Sequence, residues 1–425
     1  MSDHLASNQG EMSTSTTYTP TYPLSSTQTG PSDTVTYPVA LPPEAIPTAN
    51  TTIGLGGIPD QPLLKLPVMG INAWAWGDGV SYGWGATEEG ESKLDDEHVS
   101  VAFDELMKTH PKLFLDVAEH YGQDHGYAEQ SIGWNLDKRF TLAERDKRVI
   151  LATKFIPSRD RHPYRYPDVI LEALEGSLER TQMPAVDIYQ LEHASSVWPR
   201  LETLADGLAR CYESGKVKTV GTCNLNIDQV RWMHEYFEKR NVPYVSNQVE
   251  FSLLHMAPWK SGLIEESKKL GIATIAYSPL GVARLTGKYT AENPPKGNRR
   301  MTHIPWTKIQ PIVDELVALG EVYGKTPGAV ALNWVMCKGA IPIPSIKNAE
   351  QARDCAQALG WRLTQEEVEG LDTLGIENEW DWNLWRKFQN FCFDQAKYYP
   401  VVNWPKPPYA RSPKFSSPFV RHGQS

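Results

Sequence analysis

Three residue types that together can move a proton recur at the ends of apolar runs in this 425-residue chain. Asp116-Val117-Ala118-Glu119-His120-Tyr121-Gly122 closes one run, Ala152-Thr153-Lys154-Phe155 the next, and Tyr189-Gln190-Leu191-Glu192-His193 the one after. A phenol is a weak acid at neutral pH, but a nearby ammonium stabilises phenolate and is expected to lower the tyrosine pKa. A carboxylate beside that ammonium keeps it charged and placed. Asp116, Lys154 and Tyr121 therefore make a relay that can give a proton to a carbonyl oxygen, with Tyr121 as acid in one direction and base in the other. Taken singly, each has an ordinary structural reading as a cap, a solvated lysine or a turn residue.

The elements that must bring these residues together follow from the hydrophobic pattern. Eight short apolar runs, KLPVMGINAW, KLFLDVAE, RVILATKF, AVDIYQLE, VKTVGTCNL, YVSNQVEF, IATIAYSPL and AIPIPSI, read as strands. Stretches such as PDVILEALEGSLERTQ, RLETLADGLARCYESG and DQVRWMHEYFEKRN lie between them with apolar residues three and four apart, as in helices. Alternation of strand and helix implies parallel strands joined by right-handed crossovers. Eight such units predict an α/β fold, a closed (β/α)8 TIM barrel over residues 63–375, in which reactive groups gather at the C-terminal ends of the strands. An open doubly wound sheet would want a GxGxxG turn, and the chain has none. PWTKIQPIVDELVALGEVYG and PGAVALNWVMCKG supply one helix beyond the repeat, before the last strand.

Outside the barrel, Ser, Thr and Pro make up 27 of the first 60 residues, so residues 1–62 read as a disordered tail. Residues 376–425 are aromatic-rich and read as a C-terminal extension packed on the barrel. The 42 Lys and Arg against 51 Asp and Glu give a net charge of −9, which argues against nucleic acid or an anionic membrane as partner. No apolar run approaches the length of a membrane helix, and no signal-peptide pattern opens the chain. Five scattered cysteines without CxxC spacing read as reduced thiols, and the expected location is the cytoplasm. His120 and His125 read as solvated loop histidines, and no metal site is expected. The sequence assigns no oligomeric state.

The strings DVAEHYGQDHGYAEQSIG, RVILATKF, DIYQLE, VKTVGTCNL, NQVEFSLL, AYSPLGVARLTGKY and IPIPSIKNAEQARDCAQALGWRL, in this order, resemble the aldo-keto reductase superfamily, with the texture of its plant, bacterial and potassium-channel β-subunit-like branch. The resemblance implies an NADP(H)-dependent oxidoreductase that moves hydride between nicotinamide and a carbonyl substrate, with Asp116, Tyr121 and Lys154 as three of four catalytic residues. The family's fourth is a histidine after the strand Asp187–Leu191. Here Glu192 stands in register and His193 follows one residue later. Because strand side chains alternate, only one of the two can face the pocket without a bulge. A His-to-Glu exchange marks the steroid 5β-reductases within the superfamily, so an alternative is reduction of an enone C=C bond with Glu192 as a neutral donor. A further alternative is an NADP(H)-binding auxiliary subunit with little turnover.

For the cofactor, the resemblance implies Cys223 and Asn224 at the carboxamide, with Gln248 beside them, and Tyr277 stacked on the nicotinamide. Ser278, Pro279 and Leu280 through Lys288 would form the loop over the diphosphate, and Ser345, Lys347, Gln351 and Cys355 the 2′-phosphate and adenosine end. Lys347 would favour NADP(H). The family's Glu-Asn is Asp354-Cys355 here, and its usual Gly-Thr-Trp is Asn72-Ala73-Trp74, with Trp74 a wall of the substrate pocket.

Overall fold

All seven residues of Val149–Phe155 are buried, as a strand covered on both faces requires, and the run is apolar except for Thr153 and Lys154 near its end. The computed structural model describes residues 34–58, 60–77, 95–122, 126–157, 161, 165–194, 199–294 and 304–377. Its strands in chain order are β1 (Val35–Pro38), β2 (Thr51–Ile58), β3 (Gln61–Pro67), β4 (Ile71–Asn72), β5 (Leu113–Asp116) and β6 (Val149–Phe155). They continue with β7 (Val186–Leu191), β8 (Val217–Cys223), β9 (Tyr244–Glu250), β10 (Ala273–Tyr277) and β11 (Ile341–Pro342). Strands β4 to β11 pair in sequence order and all in parallel. The backbone N–H of Gly70 donates to Pro342 O at 3.0 Å and that of Asn72 to Pro344 O at 3.0 Å, so first and last strands join and the ring closes. The expected (β/α)8 barrel is the observed fold.

The helices are α1 (Asp96–Thr109), α2 (Tyr127–Arg139), α3 (Leu142–Arg148), α4 (Asp168–Thr181), α5 (Leu201–Glu213) and α6 (Ile227–Glu238). After them come α7 (Ala257–Lys260), α8 (Leu263–Lys269), α9 (Trp306–Tyr323), α10 (Pro327–Cys337), α11 (Ala349–Ala356) and α12 (Gln365–Leu374). α9 and α10 are the pair expected before the last strand. Local signals set their ends: Asn226 and Gln229 form a capping box on α6, and Thr364 and Glu367 form one on α12. α2 and α4 cross where Gly133 has no side chain, since a Cβ there would stand 2.5 Å from the Arg180 carbonyl oxygen.

Two expectations fail at the N-terminal side. The assigned tail, residues 1–62, contains β1, β2 and the start of β3, so the described fold begins at Thr34. β2 and β3 pair antiparallel, with Ile53 opposite Leu66 and Leu55 opposite Leu64, all four buried. The first 60 residues are polar on average, and that average hid a short stretch with inward alternation, Ile53 and Leu55. The run KLPVMGINAW is also not one strand, because Lys65–Pro67 belong to β3 and only Ile71–Asn72 to the barrel. An ideal Cβ at Gly56 would lie 3.3 Å from Val245 at the start of β9, so the hairpin covers the N-terminal end of the barrel.

Residues 1–33, 78–94, 123–125 and 378–425 lie outside the described residues, and with them most of the SYGWGATEEGESKLDDE loop, His125, Cys392 and the body of the aromatic extension. Its first residues are in place: Met256 N–H donates to Ile376 O at 3.0 Å and Ile376 N–H to Leu253 O at 2.8 Å. Among the described residues no helix is long and apolar enough to cross a membrane, and Cys211, Cys223, Cys337 and Cys355 form no disulfide.

Candidate active site

The C-terminal ends of four strands converge on one buried carboxylate. Asp116, at the end of β5, accepts from Lys154 Nζ of β6 at 2.7 Å and from Asn72 Nδ2 of β4 at 2.8 Å through Oδ2. Its Oδ1 accepts from Gln190 Nε2 of β7 at 3.0 Å and Gln248 Nε2 of β9 at 2.7 Å. Lys154 Nζ also donates to Val117 O at 2.9 Å and to Tyr121 OH at 3.0 Å, so all three ammonium protons have acceptors. The sequence-derived relay Asp116, Lys154 and Tyr121 is thus one connected cluster, and all three residues are buried.

Burial opposes the Lys154 charge, but Asp116 and then Tyr121 outweigh it and hold the ammonium well above the usual lysine range. Tyr121 departs from expectation. Lys154 does pull its phenol down, yet burial raises it more, and Glu192 and Asp116 add to the rise. The free site therefore keeps Tyr121 protonated across neutral pH, which is a loaded acid rather than a part-ionised one. Trp74 stacks on the Tyr121 ring, with centroids 6.1 Å apart and planes 20° from parallel.

Past β7, alternation decides between Glu192 and His193. Gln190 points inward to Asp116, and Glu192, two residues on, continues that face. The Glu192 carboxyl lies 3.4 Å from His120 Nε2 and is 20% exposed. Burial pushes it up to about 7, with Asp116 and Glu119 adding to the rise and Lys154 opposing it. His193 lies off this face; burial alone lowers its pKa, and none of the site charges perturbs it. His120 is not the solvated histidine expected, since its side chain is 26% exposed and its ring meets Tyr121 edge-on at 4.9 Å.

Beside the relay opens a cavity of 290 Å³. Trp74, Tyr277, Ser278, Pro279, Leu280, Ser345, Lys347, Gln351 and Cys355 line it, so nine residues from three separate sequence stretches share one wall. Asn72 and Asp354 line it too. The Lys347 backbone N–H donates to Gln351 Oε1 at 2.9 Å, and Gln351 N–H is capped by Asn348 Oδ1 at the start of α11. The loop after β10 holds Ser278, Val282 and Ala283 at φ of 51°, 56° and 65°, a region that L side chains rarely adopt. Four expected cofactor residues lie off this wall. Gln248 is engaged with Asp116, and Cys223 is buried with its Sγ donating to Gln190 Oε1 at 3.7 Å. Asn224 accepts from Tyr277 OH at 3.0 Å and donates to Glu192 O at 3.1 Å, while Lys288 is exposed over the Tyr289 ring.

Sequence reading missed Asn72, Gln190 and Gln248 as partners of Asp116. The available signals were polar residues inside apolar strand runs and, for Gln190, the same parity as Glu192.

A closed parallel barrel with a buried ammonium between a carboxylate and a phenol at the C-terminal face defines a TIM-barrel protein with a site built for proton transfer. The chain belongs to the aldo/keto reductase family, whose profile matches residues 79–376. The chloroplastic pyridoxal reductase of Arabidopsis thaliana is 33% identical over 323 residues, covering 74% of this chain and 85% of that protein. Aldo-keto reductase str7 of Strobilurus tenacellus is 30% identical over 278 residues, covering 63% and 78%. In fold, the glycerol dehydrogenase of Gluconobacter oxydans matches with a TM-score of 0.60 at 23% identity, covering 77% of this chain and 96% of that one.

Proposed function

We propose that the protein reduces a carbonyl substrate at the expense of NADPH, with Tyr121 as the proton donor. The observation that carries this reading is the Lys154 ammonium, 2.7 Å from Asp116 and 3.0 Å from the Tyr121 hydroxyl, beside the 290 Å³ cavity. That cavity suits a dinucleotide: Tyr277 offers an aromatic face, Pro279 and Leu280 an apolar edge, and Lys347 a cation for a 2′-phosphate. Ser278, Ser345, Gln351, Cys355 and Trp74 complete the proposed binding wall, with Asn224 ordering Tyr277 through its hydroxyl. Lys288, exposed in the same loop over the Tyr289 ring, is the proposed cation for the diphosphate. Bound NADPH supplies the hydride. Tyr121 gives its proton to the carbonyl oxygen, and Lys154, held by Asp116, stabilises the phenolate left behind.

A second reading, reduction of an activated C=C bond, is favoured by Glu192. Its Oε2 has no hydrogen-bond partner among the described residues, and burial pushes the carboxyl pKa up to about 7, so the neutral acid that an enone oxygen would call for is available near neutrality. On the carbonyl reading Tyr121→Phe lowers kcat at least 100-fold while NADPH affinity stays near wild type. Retention of most of kcat would show that another group is the acid. A panel of aldehydes (including pyridoxal), ketones and enones, run with wild type, Glu192→His and His193→Ala, separates the two readings. Enone turnover that Glu192→His converts to carbonyl turnover supports the second. Carbonyl turnover lost only in His193→Ala removes it.

A further inference from the structure

His120 and Glu192 come from different strand ends, β5 and β7, and meet over the relay. An imidazole and a carboxyl stand 3.4 Å apart there, with side chains 26% and 20% exposed. Glu192 Oε1 faces His120 Nε2, while Oε2 is buried and has no hydrogen-bond partner among the described residues. An isolated buried carboxylate oxygen is costly, which favours keeping a proton on it.

We propose that His120 is a positioning residue for Glu192: by donating its Nε2–H to Oε1 it orients the carboxyl and keeps its proton on Oε2, the oxygen that has no other partner among the described residues. This deepens the proposed function and rests on Glu192 facing the substrate. The balance is simple. In the neutral acid, Oε1 accepts from imidazole and Oε2 carries the proton; when that proton is lost to solvent, the imidazole N–H stabilises the carboxylate. His120 therefore favours ionisation, and its removal must raise the carboxyl pKa. The other groups facing Glu192 are Lys154 from β6, Asp116, Glu119 and Tyr121 from β5 and its loop, Cys223 from β8 and Tyr277 from β10. Glu119 is itself paired with Arg161 at 2.5 Å. All of these remain in a His120 variant.

The test is an infrared difference titration of the full chain, wild type minus Glu192→Gln, which reads the protonated carboxyl whether or not a substrate is known. In the wild type that band is expected at pH 6 and to fade as pH rises through neutrality. In His120→Phe it should persist to a pH at least one unit higher, and His120→Asn, which keeps an amide N–H donor, should restore most of the wild-type titration. The same order should appear in the basic limb of kcat/KM. A band absent at pH 6, or one that titrates alike in wild type and His120→Phe, overturns the proposal. A Tyr121→Phe enzyme that still turns over overturns the proposed function instead, and leaves the titration result standing.

Discussion

At the residue scale the site depends on which protons stay where. Glu192 is raised from 4.5 to about 7, so the fold favours its neutral form. The associated stability is complete below pH 4.5 and is lost as pH rises through about 7. Glu192→Gln should be more stable than wild type above neutrality by roughly 1–3 kcal/mol, with little difference near pH 4; parallel denaturant titrations at the two pH values check this. A wild type whose advantage grows with pH would reverse the sign. On the proposed function, Lys347 is the charge on which cofactor choice turns. A lost charged hydrogen bond is worth about 1.5–3 kcal/mol. Lys347→Glu should therefore weaken NADPH binding roughly 10- to 100-fold and leave NADH nearly unchanged, as read by fluorescence titration. Equal wild-type affinity for both cofactors would remove the assignment.

Element by element, the strands were legible and their polar partners were not. Short apolar runs marked the barrel strands, and their ends marked Asp116, Tyr121 and Lys154. The short range of such patterns is also their limit: Asn72 meets Asp116 from 44 residues away and Gln190 from 74, distances over which no periodicity speaks. Parity along β7 could have settled Glu192 against His193 had Gln190 been read as inward. Helices α1 and α2 were not singled out, although Asp95 caps the first through the Glu97 and His98 backbone N–H groups. The loop after β10 matched the family pattern, but its left-handed residues could not be read from side-chain type, since Val at φ 56° is unfavourable. That strain sits on the cavity wall. Val282→Gly should relieve it and raise stability by about 1 kcal/mol, while loosening the loop and weakening NADPH binding several-fold. Unchanged thermal and binding midpoints would show that the backbone there costs nothing.

For the whole molecule, the two ends of the barrel divide the work. The β2–β3 hairpin covers the N-terminal end and holds Ile53, Leu55, Leu64 and Leu66 out of water. Ile53→Ala should cost about 2–5 kcal/mol of stability yet leave kcat and KM of the folded enzyme unchanged, because the reacting groups lie at the other end. A large KM change would mean that the two ends communicate.

Asp116 does not respect that division. Its two oxygens are tied to β4, β6, β7 and β9, so the group that orders the relay is also a rivet through half the barrel wall. Take it away and Lys154 is left as an unpaired charge in the interior, a loss of about 3–5 kcal/mol. Chemistry and foldedness share a single point of failure there. A change at Glu192, His120 or the rim loops leaves that rivet in place, whereas a change at Asp116 withdraws the lysine's counter-charge and four strand-to-strand ties in one stroke.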